Sequence, residues 1–460
     1  MQTTLKQLQA ALSNARMTAD ASVCGLTTDS RRIEAGNLFV ALRGEQFDAH
    51  DFLAQVANSG AAAVIAERLP QDFPLPALVV PDTRRALAET GRYWRQQFAL
   101  PVIGVTGSNG KTTVKEMISS ILAAAFGEAN RLATAGNLNN EIGVPLTMMR
   151  LQTHHRAAVI EMGMNHPGEI AVLADVARPT VVLVNNAQRE HQEFMQSVRA
   201  VAEENGSAIL ALPADGVAVF PAGDEFEPLW RAYAAERRCL TFGMQQDADV
   251  RAEFSPQTFG SQLTLHIGAE AHSLFLQAAG QHNALNAAAA AACCYAAGMP
   301  ATAIVAGLAN FAPVQGRLQR KQAQCGAMVI DDTYNANPDS VRAAIDVLSG
   351  AGKETVLVLG DMGEVGDNGA AFHAEIGAYA GQKGIAHLLL LGDLVAHAAQ
   401  AYGQPDAHYG DIDSLLQALD RLLGAQSVVL VKGSRFMKME RVVAHLVSHD
   451  AQVSSQQHTH

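Results

Sequence analysis

Residues 102–117 read VIGVTGSNGKTTVKEM, an apolar run, then a glycine-bearing loop, then residues at helical spacing. A strand that ends in such a loop and continues as a helix aims backbone N–H groups and a helix N-terminus at one place, where an anion is held. Gly107 and Gly110 let the backbone approach phosphate closely, Lys111 offers a point charge to the outer phosphates, and Thr112 carries a hydroxyl suited to Mg²⁺. Gly107, Ser108, Asn109, Gly110, Lys111, Thr112 and Thr113 thus form a candidate cradle for the phosphates of ATP. The strict phosphate-loop pattern wants another glycine five residues before Gly110, and that position is Val105. The loop is therefore a variant whose entrance is reshaped by Thr106 and Gly107.

Working outward, the same rhythm of apolar strand, polar loop and helix recurs at RAAVIE, PTVVLVNN, GVAVF and CLTF, and again at AMVIDDTY, TVLVLGDM, HLLLLGD and SVVLVKGS. Such runs belong to parallel sheets covered on both faces. The expected fold is α/β with three domains: a small α/β N-terminal domain over 1–100, a central domain with a P-loop-type, mostly parallel sheet over 101–313, and a C-terminal doubly wound, Rossmann-like sheet over 314–460. AMVIDD is expected to open the third domain. Alternation in QLTLHI and HSLFLQ predicts an antiparallel appendage over 247–276, and the first twenty residues have helical spacing.

Composition narrows the function. Of 460 residues 48% are hydrophobic and 17% charged, and no apolar run reaches the roughly 18 residues needed to cross a bilayer. The N-terminal stretch lacks the continuous apolar segment of a secretory signal, so the reading is a soluble, cytoplasmic monomer without membrane insertion. A net charge of −12 argues against nonspecific binding to nucleic acid or anionic lipid, so an anionic ligand must be held by specific loops. The five cysteines show no C-x-x-C spacing and read as buried free thiols.

Polar signatures follow the carboxyl ends of the apolar strands, the edge at which open α/β sheets bind ligands. Glu161 closes RAAVIE, and a carboxylate at a buried strand end is costly unless a cation faces it, which points to Mg²⁺. His191, in NNAQREHQEF after the next strand, reads either as a second metal ligand or as a structural histidine.

Taken in order, GVTGSNGKTT, EMGMNHPGEI, GQHNALNAAAA, QGR and DDTYNANPDS resemble the Mur ligase family of ATP-dependent amide-forming enzymes, with the resemblance running from about Thr27 to Glu440. The resemblance implies that ATP phosphorylates the terminal carboxylate of a UDP-N-acetylmuramoyl-tripeptide and that the amine of D-alanyl-D-alanine attacks the acyl phosphate. Lys111, Glu161, His191 and Arg317 take the catalytic roles it implies, with Thr112, Glu161 and His191 at the metal. Asn283 takes the place of an adenine-contacting asparagine, or caps a neighbouring turn. Arg317 lies where a guanidinium reaches phosphate as two domains close, or else forms a surface ion pair. Asp332 resembles a ribose-binding aspartate, with Tyr334, Asn335 and Asn337 around the nucleotide. For the substrates, the resemblance points to Asp29, Ser30 and Arg31 at the UDP end, to Asn137, Asn139 and Asn140 at sugar or peptide, and to Lys432, Ser434 and Arg435 as an anion clamp on the incoming dipeptide. One departure concerns the second Mg²⁺: the family usually has a lysine, carbamylated in several members, fourteen residues after the histidine, and here that position is Asn205. A second Mg²⁺ is then expected to be held by His191, phosphate oxygens and water, with Glu203 or Glu204 as further candidates. Competing readings are another amide ligase of the family, such as a folylpolyglutamate synthetase or the ligase adding the third residue of the wall peptide, and a nucleotide-binding switch. A switch needs neither a substrate-like first domain nor the KGSR loop.

Overall fold

The computed structural model describes residues 1–447 apart from Glu45, His191, Gln192, Gln196, Thr258, Phe259 and Lys353. Strands β1 (Gln2–Thr4) and β3 (Ser22–Cys24) form a two-stranded ribbon; β2 (Arg16–Met17), β4 (Leu26–Thr27), β5 (Leu38–Val40), β6 (Ala63–Ala66) and β7 (Ala77–Val79) form a five-stranded sheet in the order β2-β7-β6-β5-β4. The central sheet holds β8 (Val102–Thr106), β9 (Arg131–Ala133), β10 (Ala157–Glu161), β11 (Val181–Val184), β12 (Val217–Pro221), β13 (Arg238–Gly243), β14 (Val250–Gln257), β15 (Gly260–Ile267) and β16 (Glu270–Leu276). Its order is β16-β15-β14-β13-β12-β11-β8-β10-β9. In the third sheet, β17 (Gln319–Gln322), β18 (Met328–Asp332), β19 (Glu354–Gly360), β20 (His387–Leu391), β21 (His408–Tyr409) and β22 (Ser427–Lys432) run in the order β17-β18-β22-β19-β20-β21.

Alternation along the central strands splits the core into two layers. Ile103, Val105, Val159 and Leu183 face the helices Lys111–Phe126 and Gln281–Ala296, while Val102, Ala158, Ile160 and Val182 face the helices Glu169–Ala177 and Val198–Leu210. The run Ala287–Ala292 is wholly buried, because side chains of one carbon let that helix lie close on the sheet. Strand order reverses direction at β8, which has β11 on one side and β10 on the other, so the loops after these three strands meet at a switch point.

Several sequence expectations need correcting. The antiparallel strands are no separate appendage: β14 pairs parallel with β13 and carries the hairpin β15–β16 as an extension of the central sheet. The third sheet is opened by β17, sequence QRKQ, ahead of the AMVIDD strand; an edge strand with no buried residue carries no apolar pattern to read. Within the first twenty residues only Leu5–Ala11 is helical, between two short strands. Cys293 and Cys294 are buried and their thiols are pushed up by desolvation, but Cys24 and Cys325 are exposed.

The helix that starts at the phosphate loop is pinned along its length by the helix Ala301–Ala309. Ser120 Oγ donates to Gly307 O at 2.7 Å, and a Cβ at Gly307 would overlap the Ile121 backbone. Overpacking of this kind costs about 1–3 kcal/mol, so Gly307→Ala is expected to lower the urea midpoint of unfolding. Gly410, with nothing within 4 Å of an added Cβ, is the control: Gly410→Ala is expected to stay within about 0.5 kcal/mol of the parent.

Candidate functional site

Strand β8 ends at Thr106 and the helix Lys111–Phe126 begins four residues after Gly107, so the loop 107–110 bridges strand and helix directly. Val105 is inside the strand, paired with Glu161 of β10 and Leu183 of β11, which is why no glycine is needed there. The two loop glycines are required: Gly107 has φ +129° with Asn185 and Asn186 at 3.0 Å from an added Cβ, and Gly110 has φ +81° with Asn286 Oδ1 at 2.5 Å. Amide side chains hold the loop from behind. Gly107 N–H donates to Asn205 Oδ1 at 2.9 Å, Asn109 N–H donates to Asn186 Oδ1 at 2.8 Å, and Asn185 Nδ2 donates to Asn109 O at 2.8 Å. Lys111 Nζ folds over the loop onto Gly107 O at 2.5 Å and Ser108 O at 3.0 Å, and pairs with Glu190 at 3.1 Å.

Glu161 is 2% exposed. Its Oε1 accepts from Thr112 Oγ1 at 3.1 Å and from Asn139 Nδ2 at 2.9 Å, while its buried Oε2 has no partner among the described residues. Leaving a buried acceptor unpaired costs about 1–3 kcal/mol, more when it is charged, and a divalent cation beside the Thr112 hydroxyl relieves that cost. The residues therefore fit Mg²⁺. Among the described residues no three His, Cys, Asp or Glu side chains converge into an all-protein cage. Mg²⁺ needs none, because it keeps several waters and uses substrate phosphates. His191 lies outside the described residues. The two candidate glutamates are engaged elsewhere: Glu204 caps the preceding helix, Glu169–Ala177, by accepting from Gly168 N at 2.8 Å and Ile170 N at 2.9 Å, and Glu203 pairs with Arg199 on the surface.

Across the cleft, the carboxyl ends of β18 and β22 put Asp332 opposite Lys432 in register. Their side chains pair at 2.6 Å, 13% and 4% exposed, and Asp332 Oδ1 also accepts from Leu318 N at 3.1 Å. Lys432 is thus committed to the aspartate and to Asn335 O at 2.9 Å. Of the other two residues of the expected clamp, Ser434 Oγ accepts from Gly363 N at 2.5 Å, and Arg435 is exposed and pairs with Glu440. Arg317 lies 4.0 Å over the Tyr334 ring rather than in a surface ion pair. Asn283 is buried with Nδ2 on Ala279 O at 2.8 Å, so it ties the start of its own helix while lining the cleft. Desolvation lowers the His282 imidazole to about 4, and it lines the same cavity as a neutral ring. Asn337 caps the helix Pro338–Ser349 and reaches over to Asn109 Oδ1 at 2.9 Å.

Two cavities meet at Asn109, Gly110, Arg317 and Ser340. One, of about 340 Å³, runs between Asn283, Asn286 and Asp332; the other, of about 620 Å³, holds Lys111, Thr112, Glu161 and Tyr334 and reaches Arg84 of the N-terminal unit. Asn137, Asn139 and Asn140 edge the larger one, but Asn139 is turned to Glu161 and Asn140 Oδ1 accepts from Gly143 N at 2.9 Å as a turn-former. Asp29 and Arg31 pair with each other at 2.9 Å in an exposed turn, which lowers the Asp29 carboxyl, and neither they nor Ser30 line these two cavities. Sequence reading missed the segment 188–190, where Gln188 N–H donates to Ser108 Oγ at 2.9 Å, Arg189 seizes two carboxylates and Glu190 holds Lys111. Its signal was only alternating charge in a loop.

The chain matches three family models: Mur ligase family, catalytic domain, over residues 22–94; Mur ligase middle domain over 105–294; and Mur ligase, glutamate ligase domain, over 316–435. It is 40% identical over 447 residues to the UDP-N-acetylmuramoyl-tripeptide–D-alanyl-D-alanine ligase of Escherichia coli, covering 96% of this chain and 98% of the relative. The crystal structure of MurF from Acinetobacter baumannii superposes with a TM-score of 0.90 at 35% identity, covering 96% of this chain and 98% of that one. MurF from Thermotoga maritima in complex with ADP superposes with a TM-score of 0.81 at 26% identity, covering 91% and 96%. A phosphate loop facing an aspartate–lysine pair across a cleft is thus accompanied by matches along nearly the whole chain, and the protein belongs to the Mur ligase family.

Proposed function

We propose that the protein joins D-alanyl-D-alanine to UDP-N-acetylmuramoyl-tripeptide with ATP, through an acyl phosphate, in peptidoglycan precursor synthesis. The observation that carries the mechanism is the orphaned Glu161 Oε2 beside Thr112, at the start of a helix whose loop also presents Lys111. The near-full-length relatives support the dipeptide as acceptor.

In this reading the triphosphate lies along the loop 107–113, with Asp332 at the ribose and Asn283 toward the base. A donor carboxylate oxygen attacks the γ-phosphorus and ADP departs. The dipeptide amine then attacks the acyl carbon, the tetrahedral intermediate expels phosphate, and the amine's proton is lost. Lys111 and Arg317 approach the transferring group from opposite sides of the cleft and stabilise the charge that develops on it. Arg317 is held beforehand by the Tyr334 ring, and Lys111 is held at the loop by its carbonyls and exchanges Glu190 for phosphate. Glu161 and Thr112 would hold Mg²⁺, which would supply positive charge to the phosphate oxygens when bound. No enzyme nucleophile is required. The substrate roles of Asp29, Ser30 and Arg31 at UDP, and of Ser434 and Arg435 at the dipeptide, belong to the same proposal, as do the division at residues 100 and 313, action in the cytoplasm and a monomeric state.

Incubation with the UDP-tripeptide, D-alanyl-D-alanine, ATP and Mg²⁺ is expected to yield the UDP-pentapeptide by mass spectrometry with one ADP per product; ADP released with no dipeptide-dependent product would sink this reading. Lys111→Ala is expected to lower turnover by roughly 10²–10³, the scale of deleting a preorganised charge stabiliser, with the circular dichroism spectrum kept. Near-normal turnover in the folded variant removes Lys111 from the mechanism. Because Asn205 cannot be carbamylated, turnover in CO₂-stripped buffer is expected to equal turnover with bicarbonate restored. A loss rescued by bicarbonate means that another lysine carries the carbamate.

A further inference from the structure

Arg189 lies on the central unit, in the loop after β11, yet its side chain is spent on the C-terminal unit. Its Nη2 is 2.6 Å from Asp339 Oδ1 and its Nη1 is 2.7 Å from Glu375 Oε2. Nε and the backbone N–H also donate to Asp339, at 3.1 Å and 3.0 Å. The guanidinium lies 5.3 Å over the Phe372 ring, and Arg342 donates to Glu375 Oε1 at 3.0 Å, an oxygen that Arg189 Nη2 also reaches at 3.1 Å. A planar fork on two carboxylates is the geometry that arginine, and not lysine, can hold. The charges are mostly sheltered, with Arg189 25%, Asp339 23% and Glu375 33% exposed. The pairing depresses the Glu375 carboxyl and raises the guanidinium.

The flanking residues give this contact a consequence. Gln188 is bonded to Ser108 and its Oε1 accepts from Asn109 Nδ2 at 2.6 Å; Glu190 holds Lys111 Nζ at 3.1 Å. Asp339 sits in the first turn of the helix capped by Asn337, which itself bonds Asn109. Three consecutive residues thus tie phosphate loop, C-terminal unit and phosphate-loop lysine together. Asp339 also lines the smaller cavity, where an unpaired carboxylate would repel a polyphosphate; Arg189 neutralises it.

We propose that Arg189 is a positioning residue for the ATP-dependent reaction: it latches the C-terminal unit to the central one through Asp339 and Glu375 and so fixes the segment 188–190 against the phosphate loop and Lys111. The proposal rests on ATP binding at this cleft. Its structural half is tested without nucleotide, so it fails independently of the assigned reaction.

The test compares the full-length protein with Arg189→Ala, Arg189→Lys and the double variant Asp339→Asn with Glu375→Gln. By solution scattering, Arg189→Ala and the double variant are expected to have a larger radius of gyration than the parent, while 0.5 M salt expands the parent and leaves Arg189→Ala unchanged. Kinetically, the KM for ATP is expected to rise about tenfold or more and kcat to fall roughly 10- to 100-fold, the scale of misplacing a reacting group, with the dissociation constant of the UDP-tripeptide unchanged. Arg189→Lys, with charge but no fork, is expected to recover less than half of the lost kcat/KM. Overturning results are a folded Arg189→Ala protein with parental scattering and parental KM for ATP, or an Arg189→Ala defect that the double variant does not share. A lowered melting temperature with unchanged kinetics also overturns the proposal, since it would make the contact only a structural staple.

Discussion

A phosphate loop can present its N–H groups to a ligand only if its remaining polar groups are satisfied from behind, and here the buried amide of Asn205 is where that support starts. It is 1% exposed and holds Gly107 N–H at the point where the chain leaves β8. Thr106 Oγ1 adds a bond to Asn205 O at 3.3 Å, so loop and helix are joined twice. The support continues through other amides: Asn286 Nδ2 donates to Asn283 Oδ1, Asn286 Oδ1 accepts from Asn185, and Asn185 donates to Asn109 O. An amide suits this task because it donates and accepts without charge, and a buried neutral network that is fully satisfied rigidifies its surroundings. The glycines follow from it, since Gly107 and Gly110 pack so close to these amides that a side chain would displace them.

Charge in the cleft is arranged against that neutral scaffold. The chain carries a net −12, yet it must accept a polyanion, so each carboxylate near the loop needs a partner. Asp332 has Lys432, Glu190 has Lys111 and Asp339 has Arg189. Breaking a buried pair such as Asp332–Lys432 by removing one member costs about 3–5 kcal/mol, because the surviving charge is left uncompensated. Glu161 differs from these: among the described residues its Oε1 is bonded and its Oε2 is not, an imbalance that suits an external cation.

Much of this was legible in the sequence, for identifiable reasons. Fully buried parallel strands read as uninterrupted apolar runs, so β8, β10, β11, β18 and β22 and the polar residues at their ends could be placed, and the α/β architecture with them. The cradle residues 107–113 carry chemistry in their spacing along one strand–loop–helix, and Glu161 in its place at the end of another buried strand. What stayed hidden is long-range or edge-specific. The strand QRKQ has no buried face to give it a period, and the continuity of β14 with β13 is a matter of pairing, which local alternation does not encode. The pairing of Lys432 with Asp332 joins residues 100 apart and could not be read from either stretch alone. Arg189 and Asp339, 150 residues apart, were invisible for the same reason. Asn140 and Asn283 show the converse: an asparagine near a site also serves the backbone, and only geometry tells which.

Asn205 shows how one position redistributes the work of a site. Its Oδ1 meets Gly107 N–H and its Nδ2 meets Val201 O at 3.1 Å, one acceptor and one donor, each used. A carboxylate in the same seat could accept from Gly107 but could not donate to Val201, and a carboxylate or a carbamate there would bring negative charge to the base of a loop that must admit phosphates. With the neutral amide, the helix Val198–Leu210 contributes support and no charge at this point. Glu204 is turned away to cap a neighbouring helix, so the carboxylates facing the loop are Glu161, on the strand beside it, and Glu190, on Lys111. A phosphate reaching Lys111 competes with Glu190 for the same ammonium, and the backbone of Glu190 follows directly on Arg189 and its grip on Asp339. Phosphate recognition and the joining of the two units therefore act on one short segment, and a change at either end is felt at the other.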